Sequence, residues 1–280
     1  MVLIDGKKVS AEVRSRLADE TKELKKKTAR TPGLATVLVG DDPASAVYVR
    51  NKNKVCGELG IQSFEQKLSA DISEEKLLQL VGELNANKDI HGILVQLPLP
   101  DQIDSEKILQ AIDPKKDVDG FHPINVGKLV VGNALLTPCT PTGIIALLDY
   151  YDIEISGKHA VIIGRSNIVG KPVSMLLLQR NATITICHSR TRNLEEVTRS
   201  ADILVAAVGR ANFVTEGMVT EGAVVIDVGI NRVDGKLTGD VDFESVSKKA
   251  SYITPVPGGV GPMTIALLME NTLKAFKEVL

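Results

Sequence analysis

The helical segment 44–59 places a lysine where a buried side chain is expected. Its apolar positions recur at helical spacing, and Lys52 shares a face with Val55 and Leu59. Tyr48 precedes the lysine by one turn on that face. An ammonium group there either extends to water or loses solvation, and lost solvation lowers its pKa. Lys52 is therefore a candidate general acid or base near neutrality, with extension to solvent as the alternative.

Two further segments supply polar side chains that could meet this lysine. Gln96 follows the strand-like run GILV, and its amide offers both a donor and an acceptor. Asp117 and Asp119 lie in the run KKDVDGF, where an Asp-Gly pair also favours a simple turn. The run PGGVG at 257–261 either presents backbone amides to a ligand or only connects a strand to a helix.

A second candidate site is the run GRSNIVG at 164–170, which follows the apolar run AVII. Ligands of open α/β sheets lie beyond the carboxyl ends of the strands, where this loop is expected. Its glycines are Gly164 and Gly170, whereas the usual dinucleotide spacing would require glycine at Ser166 and Val169. The pattern alone supports a nucleotide loop and a structural strand–helix turn about equally.

The end of the next strand favours a phosphorylated dinucleotide. The run ATITIC continues into HSRTR, without the acidic residue that binds the ribose hydroxyls of NAD. Ser189, Arg190 and Arg192 provide the hydroxyl and guanidinium donors that a 2′-phosphate prefers, and Arg165 adds another. A solvated basic loop is the alternative. Together, the four donors predict NADP as the cofactor.

Two later strand ends are consistent with such a site. Gly209 and Gly229 each follow an apolar run, where glycine allows backbone to approach a flat ligand closely. Ile230 is then expected to lie against the nicotinamide ring.

The elements that must position these groups alternate along the chain. Strands are predicted at 34–40, 61–68, 92–97, 159–164, 182–187, 202–208, 223–228 and 251–256. Helices are predicted at 10–27, 44–59, 73–87, 104–111, 168–180, 193–200 and from about 262. The stretch 111–143 is rich in Pro, Gly and Asp and predicts a domain boundary or cleft wall. This alternation predicts an α/β fold with parallel sheets and helices on both faces.

Composition narrows the function classes. The 280 residues, 44% of them hydrophobic, suffice for one large or two moderate α/β domains. With 33 Lys+Arg against 35 Asp+Glu, no global field attracts nucleic acid or an anionic membrane. Cys56, Cys139 and Cys187 have neither disulfide-framework nor metal-site spacing. We therefore expect a soluble cytoplasmic protein without a metal site, a nucleic-acid partner or a membrane anchor.

Six motifs occur in one order along nearly the whole chain: YVRNK (48–52), VQLPLP (95–100), KDVDGF (116–121), TPCTPTG (137–143), GRSNIVGKP (164–172) and PVPGGVGPMT (255–264). Together they resemble the bifunctional methylenetetrahydrofolate dehydrogenase/methenyltetrahydrofolate cyclohydrolases of the bacterial FolD type. The resemblance implies two α/β domains flanking a cleft, the second a Rossmann-type doubly wound parallel sheet. It implies a catalytic, folate-binding domain at 1–120, completed by the C-terminal helix 262–280, and an NADP-binding domain at 121–261.

The resemblance also implies an activity. Such enzymes oxidise 5,10-methylenetetrahydrofolate to the 5,10-methenyl form with NADP+, then hydrolyse it to 10-formyltetrahydrofolate. This chemistry serves tetrahydrofolate interconversion and the supply of formyl groups for purine synthesis. A homodimer is the implied assembly.

Residue roles follow from the resemblance, motif by motif. Lys52 is implied as the catalytic lysine, with Tyr48 positioning the folate and Gln96 hydrogen-bonded to the lysine. The implied folate-binding residues are Tyr48, Lys52, Val95, Gln96, Leu97, Asp119, Pro257, Gly258, Gly259, Val260 and Gly261. The implied cofactor-binding residues are Gly164, Arg165, Ser166, Ser189, Arg190 and Ile230.

Two other functions are also compatible with the sequence. A dehydrogenase for another small substrate, such as a shikimate-type enzyme, would account for the cofactor loop without the set around Lys52. A non-catalytic nucleotide sensor would bind the cofactor without turnover. Within the family itself, some relatives keep only the dehydrogenase activity.

Overall fold

The computed structural model describes the backbone of all 280 residues and every side chain except that of residue 44. The chain forms two compact units. The six-stranded unit comprises Met1–Ala11 and Thr140–Thr264, and the three-stranded unit comprises Glu12–Cys139 and Ile265–Leu280. Both units are α/β, as predicted.

The elements are numbered in chain order. The strands are β1 (Val2–Leu3), β2 (Gly33–Val39), β3 (Gln62–Leu68), β4 (Gly92–Val95), β5 (His159–Ile163), β6 (Thr183–Cys187), β7 (Ile203–Ala206), β8 (Val224–Asp227), β9 (Asn231–Val233), β10 (Lys236–Thr238) and β11 (Tyr252–Ile253). The helices are α1 (Gly6–Thr28), α2 (Pro43–Leu59), α3 (Glu74–Ala86), α4 (Ser105–Ala111), α5 (Pro123–Val130), α6 (Cys139–Tyr150), α7 (Gly170–Gln179), α8 (Leu194–Arg199), α9 (Phe243–Val246) and α10 (Val260–Lys277). A 3₁₀ turn covers Glu216–Met218.

The six-stranded unit contains a fully parallel sheet in the order β1-β11-β8-β7-β5-β6. The predicted doubly wound parallel sheet is confirmed. From β5 onward the order corresponds to the flavodoxin-like 2-1-3-4-5 pattern rather than to the Rossmann order 3-2-1-4-5-6. The direction of winding reverses between β5 and β7, so the loops after these two strands border the crevice where such sheets bind ligands.

The N-terminus belongs to this six-stranded sheet, whereas the predicted domain at 1–120 placed it in the other unit. Val2 and Leu3 pair in parallel with Tyr252 and Ile253. The backbone N–H of Asp5 donates to the Tyr151 hydroxyl at 2.8 Å. A two-residue strand is too short to show a sequence period, which is why this pairing was not predicted.

The three-stranded unit has a parallel sheet in the order β3-β2-β4. All seven residues of β2 are buried, as expected of a central parallel strand, while β3 alternates between exposed and partly buried side chains at the edge. The helices α2 and α3 connect its successive strands. Val37, Val81 and Ile93 belong to the core that packs α3 against the sheet.

The stretch 111–143 is more regular than predicted, because it contains α5 and the start of α6. The ring of His122 caps α5 by accepting from the Ile124 N–H, and Pro123 occupies the first turn. An eight-residue helix is too short to establish a clear apolar period, so only its cap and proline could have indicated it.

Among the described residues, no helix combines the length and apolar character that crossing a membrane requires.

Candidate functional site

Helix α2 holds Lys52 in the interior of the three-stranded unit. The helix begins with Asp42, whose carboxylate accepts from the Ser45 N–H at 2.7 Å, and ends at Gly60 with φ of 70°. Lys52 is 8% exposed, and Tyr48 one turn before it is partly buried. The ammonium group therefore does not extend to solvent, which was the alternative that the sequence left open.

Lys52 donates from Nζ to Oε1 of Gln96 at 3.0 Å, the hydrogen bond implied by the resemblance. Gln96 directly follows β4, and its backbone N–H donates to the Val37 carbonyl at 2.8 Å. Its Nε2 donates to the Leu97 carbonyl at 2.7 Å, which fixes the amide with its oxygen toward the lysine. Val95 is buried at the end of β4. The strand end therefore supplies an oriented acceptor for Lys52.

The charges around Lys52 change the acidity of the cluster. Burial lowers the pKa of Lys52, and the nearby Asp119 and Cys139 oppose this shift. Burial raises the pKa of Asp119 to about 6, with Lys52 lowering it and Asp117 raising it. Both groups can therefore exchange protons closer to neutrality than they would in water.

The two aspartates of the KDVDGF motif have different roles. Asp117 is buried, and its carboxylate accepts from the N–H groups of Phe121 and His122 and from Nδ2 of Asn125. Asp119 is partly buried, and the hydrogen bonds of the described residues include none to its carboxylate. Asp117 thus forms the turn, whereas Asp119 keeps its acceptor capacity for a ligand.

The loop that carries Asp119 is held from α10. Nδ2 of Asn271 donates to the carbonyls of Val118 and Thr137, each at 2.8 Å. The Cys139 thiol also donates to the Val118 carbonyl at 3.2 Å. A Cβ on Gly120 would lie 2.6 Å from the Pro138 nitrogen, so this tight packing requires glycine. These contacts fix the backbone on both sides of Asp119.

The run Pro257–Gly261 lies in the six-stranded unit, before and within the first turn of α10. Gly258 has φ of 111°, and its carbonyl accepts from the Lys7 N–H at 3.1 Å. A Cβ on Gly6 would lie 1.7 Å from the Gly259 oxygen. The run is thus packed against the start of α1, and its glycines are required structurally.

The loop after β5 is a compact turn that fits a phosphate. Gly164 has φ of 123°, and a Cβ there would lie 2.2 Å from the Ala207 oxygen. Ser166 accepts through Oγ from the N–H groups of Val169 and Gly170, at 3.1 and 3.2 Å. The serine thereby holds the turn that leads into α7. Its own O–H stays available to a bound oxyanion. Arg165 beside it is exposed. The donors suit a dinucleotide phosphate.

The loop after β6 carries the donors predicted for a 2′-phosphate. Ser189, Arg190 and Arg192 are all exposed. The turn is fixed because the His188 N–H donates to Oγ1 of Thr191 and the Arg190 N–H donates to Nδ1 of His188. These residues are therefore in place to meet an anionic group.

Asp240, which no sequence motif indicated, anchors the loop after β7. It is fully buried, and its carboxylate accepts from the backbone N–H groups of Val208, Gly209 and Arg210 at 2.6 to 2.9 Å. It also accepts from Nδ2 of Asn231, next to Ile230. One side chain therefore fixes both loops expected to border the cofactor.

Asp227, the last residue of β8, completes this network. It is 4% exposed and accepts from the N–H groups of Gly229, Asp240 and Val241. Burial and, to a lesser extent, the Asp240 charge raise the pKa of Asp227 to about 6, although these hydrogen bonds oppose the shift. The sequence did offer a signal for Asp227, because an acidic residue at the end of an apolar strand is unusual.

The structure gives Gly229 a reason that the sequence-based interpretation did not include, a close approach to another part of the protein. A Cβ there would lie 2.3 Å from Oδ1 of Asp240. Gly209 has the left-handed φ of 67°, and apart from its chain neighbours no atom of the described residues lies within 4 Å of a Cβ built on it. Ile230 is 49% exposed, which leaves its apolar surface available.

Comparison with known proteins identifies related chains. Two family models match: "Tetrahydrofolate dehydrogenase/cyclohydrolase, catalytic domain" over residues 4–119 and "Tetrahydrofolate dehydrogenase/cyclohydrolase, NAD(P)-binding domain" over residues 138–280. The "Bifunctional protein FolD" of Halalkalibacterium halodurans is 58% identical over 277 residues, 99% of each chain.

Solved structures agree with these matches. The bifunctional FolD methylenetetrahydrofolate dehydrogenase/cyclohydrolase of Campylobacter jejuni has a TM-score of 0.97 at 52% identity, covering 100% of both chains. The Trypanosoma brucei enzyme, solved with NADP cofactor and an inhibitor, has a TM-score of 0.96 at 40% identity, covering 100% of this chain and 98% of its own.

Asp240→Asn is expected to weaken NADP+ binding by about tenfold or more, because an amide cannot accept from three backbone N–H groups and Asn231 together. Isothermal titration calorimetry measures the affinity and circular dichroism the melting temperature. Asp242→Asn is the matched control, because Asp242 caps α9 through Ser245 and is expected to change stability alone. Equal NADP+ affinity in both variants would contradict the positioning role of Asp240.

Proposed function

Because the chain belongs to the tetrahydrofolate dehydrogenase/cyclohydrolase family, we propose that it oxidises 5,10-methylenetetrahydrofolate with NADP+ and hydrolyses the product to 10-formyltetrahydrofolate. The observation that carries this proposal is the buried Lys52, held by Gln96 within the part of the chain that matches the catalytic domain. The cofactor loops lie within the part that matches the NAD(P)-binding domain.

We assign folate binding to the domain at 1–120 with the helix 262–280, and NADP binding to 121–261. The unit boundaries support a modified version of this assignment, in which residues 1–11 accompany the NADP-binding part and residues 121–139 accompany the folate-binding part. Asp119 is the proposed acceptor for the amino and ring N–H donors of the pterin, since its carboxylate keeps its acceptor capacity. Tyr48, Val95 and Leu97 are further proposed folate contacts, as is the run 257–261.

In the dehydrogenase step, NADP+ would supply the acceptor for a hydride from the methylene carbon of the folate, which would thereby become the methenyl cation. This step needs no strong base, so the protein's contribution is to position the reacting carbon and exclude water. Gly164, Arg165 and Ser166 are proposed to hold the cofactor phosphates, and Ser189 and Arg190 the 2′-phosphate. Ile230 offers an apolar surface to the nicotinamide.

In the cyclohydrolase step, water adds to the methenyl carbon and the bond from that carbon to N5 breaks. Neutral Lys52 accepts a proton from the attacking water, and the resulting ammonium returns a proton to the departing N5. The remaining hydroxyl proton passes to solvent as the formyl carbonyl forms, so the cationic substrate and water give the neutral formyl product and one proton. Burial already lowers the pKa of Lys52, and the cationic substrate opposes its protonated form further. The hydrogen bond to Gln96 fixes the position of Nζ.

Lys52→Met is expected to lower the cyclohydrolase rate by about 10²- to 10⁴-fold, because the acid/base group is removed while the apolar stem is retained. The dehydrogenase activity persists, because it does not use the lysine. Following NADPH and the methenyl intermediate separately distinguishes the two steps: the variant produces NADPH and accumulates methenyltetrahydrofolate.

Lys54→Met is the matched control on the same helix, since Lys54 is exposed and pairs only with Glu58 at 3.9 Å among the ion pairs of the described residues. It should retain both activities. Absence of NADPH formation in the wild type would refute the proposed function, and a shikimate-type substrate or a cofactor-sensing role would then be tested. Unchanged methenyl hydrolysis in Lys52→Met would refute the role of the lysine.

Gln96→Glu is expected to move the pH dependence of the cyclohydrolase to higher pH. A carboxylate at 3.0 Å from Nζ favours the ammonium form and raises the pKa of Lys52, so neutral lysine forms only at higher pH. The measurement is kcat/KM for methenyl hydrolysis against pH. Gln62→Glu adds the same charge at an exposed position on β3 and should leave the midpoint unchanged. A midpoint that falls or stays constant in Gln96→Glu would contradict neutral Lys52 as the active form.

We also propose a homodimer. The hairpin β9–β10 supports this, since a two-stranded hairpin is marginally stable alone and its Val233 and Leu237 are 43% and 40% exposed. Sedimentation equilibrium should give twice the 30.1 kDa of one chain, and Leu237→Glu should lower that mass. A wild-type mass of one chain at micromolar concentration would rule the dimer out.

The proposed location is the cytoplasm, where 10-formyltetrahydrofolate would supply formyl groups for purine synthesis. The three cysteines support this location, because all are buried free thiols in the structure.

A further inference from the structure

A charged cavity of about 390 Å³ lies in the three-stranded unit, near the amino ends of β2 and β4. Gln96 follows the carboxyl end of β4, so the four-residue strand separates this cavity from the Lys52 cluster by roughly 10 Å or more. Arg30 and His91 line it, together with Ala275 and Val279 near the C-terminus. No step of the proposed reaction uses these residues.

His91 presents an N–H donor to this cavity. The ring is 4% exposed, and its Nδ1 accepts from the Gly33 N–H at 3.0 Å. Burial, with Arg30 and Lys116 nearby, lowers the pKa of His91 to about 4, although Asp89 opposes the shift. The imidazole is therefore neutral at pH 7, and since Nδ1 accepts, its proton lies on Nε2.

The partner that faces this donor is another donor. Nη2 of Arg30 lies 3.5 Å from Nε2 of His91, and a guanidinium has no acceptor atom. Neither group can satisfy the other, so the two N–H groups converge without an oxygen between them. Of the two groups, His91 is buried whereas Arg30 is exposed to solvent, so it is the Nε2 donor of His91 that lacks an acceptor among the described residues. Buried donors in proteins are normally matched by an acceptor, which indicates that an oxygen from outside the chain completes this arrangement.

The guanidinium is held in place for such a role. Nη1 of Arg30 donates to the Val279 carbonyl at 3.0 Å, and the group lies 5.8 Å from the centre of the Phe276 ring. Lys116 is also fixed, because its Nζ donates to the carbonyls of Asn85 and Asn87 at 2.7 Å each. Little side-chain freedom remains to be lost on binding.

The cavity also carries an excess of positive charge. Its lining includes Arg30, Lys88, Lys115 and Lys116 against one carboxylate, that of Asp113. Lys88 and Lys115 are exposed and can turn toward a ligand. Four cations and one anion favour an anionic occupant over a neutral or cationic one.

We propose that this cavity binds a compact oxyanion, a phosphate or carboxylate group, with one oxygen accepting from both Arg30 Nη2 and His91 Nε2. The ligand connects the start of β2 and β4 with the end of α10, and Lys88 and Lys115 contribute attraction at longer range. The site is separate from the Lys52 cluster and does not depend on the proposed function.

Calorimetric titration of inorganic phosphate at constant ionic strength tests the site. The wild-type protein is first saturated with NADP+, so that the loops after β5 and β6 do not contribute phosphate binding. One saturable site per chain is expected. A parallel titration with citrate distinguishes a phosphate source from a carboxylate source, and failure of both anions to bind saturably would overturn the proposal.

Arg30→Met is expected to weaken this binding at least about tenfold, because it removes one converging donor and its charge. Lys22→Met removes the same charge from an exposed position on α1 and should bind as the wild type does. Equal affinity in Arg30→Met and the wild type, or equal loss in both variants, would show that no specific site exists. In the wild type, the ¹⁵N-bound proton at Nε2 of His91 should shift on saturation; an unmoved signal also contradicts the proposal.

Discussion

The burial of one ammonium group sets the requirements for the rest of the three-stranded unit. A charged group leaves water at a cost that only an oriented acceptor and a nearby opposite charge can offset. Gln96 supplies the acceptor, and it can do so because its backbone continues the ladder of β4 while its own NH₂ is bound to Leu97. Asp119 supplies the opposite charge on a loop held by Asn271. The helix, the strand end and the loop must therefore be placed together for Lys52 to be buried at all.

The buried carboxylates divide into those with saturated acceptors and those with spare capacity. Asp117 and Asp240 accept several hydrogen bonds each, mostly from backbone, and so determine the course of a loop. Asp119 is partly buried and lies near charged groups, but its carboxylate accepts no such hydrogen bonds from the described residues. Its pKa is raised to about 6. The number of internal partners thus distinguishes a side chain that builds a site from one that is available to a substrate, even within a single motif such as KDVDGF.

Sequence patterns predicted what depends on local spacing. The apolar runs of β2, β5, β7 and β8 indicated buried parallel strands, and the helical face at 44–59 indicated that Lys52 belongs to the interior. Most of the missed elements are shorter than one clear period: β1, α5, α9 and the β9–β10 hairpin. The twelve-residue helix α6 was also missed, because it lies partly in the stretch rich in Pro, Gly and Asp that predicted a boundary. In the site, the role of Asp240 was not predictable, because its three backbone partners lie 30 to 32 residues earlier in the chain and have no sequence signature. The requirement for glycine at 229 was not predictable either, because it arises from packing against Asp240, which is distant in the chain.

The two parts of the chain are adapted to different demands of the proposed chemistry. Hydride transfer requires two bound molecules to be placed accurately. In the six-stranded unit, polar side chains such as Ser166 and Asp240 accordingly hold the loops in place. Ring opening needs a proton to be taken and returned, and the three-stranded unit accordingly retains ionisable groups with shifted pKa values. Since the loops hold their donors by backbone hydrogen bonds while Lys52 depends on one amide contact, changes near Gln96 act first on proton transfer, and changes near Asp240 act first on cofactor placement.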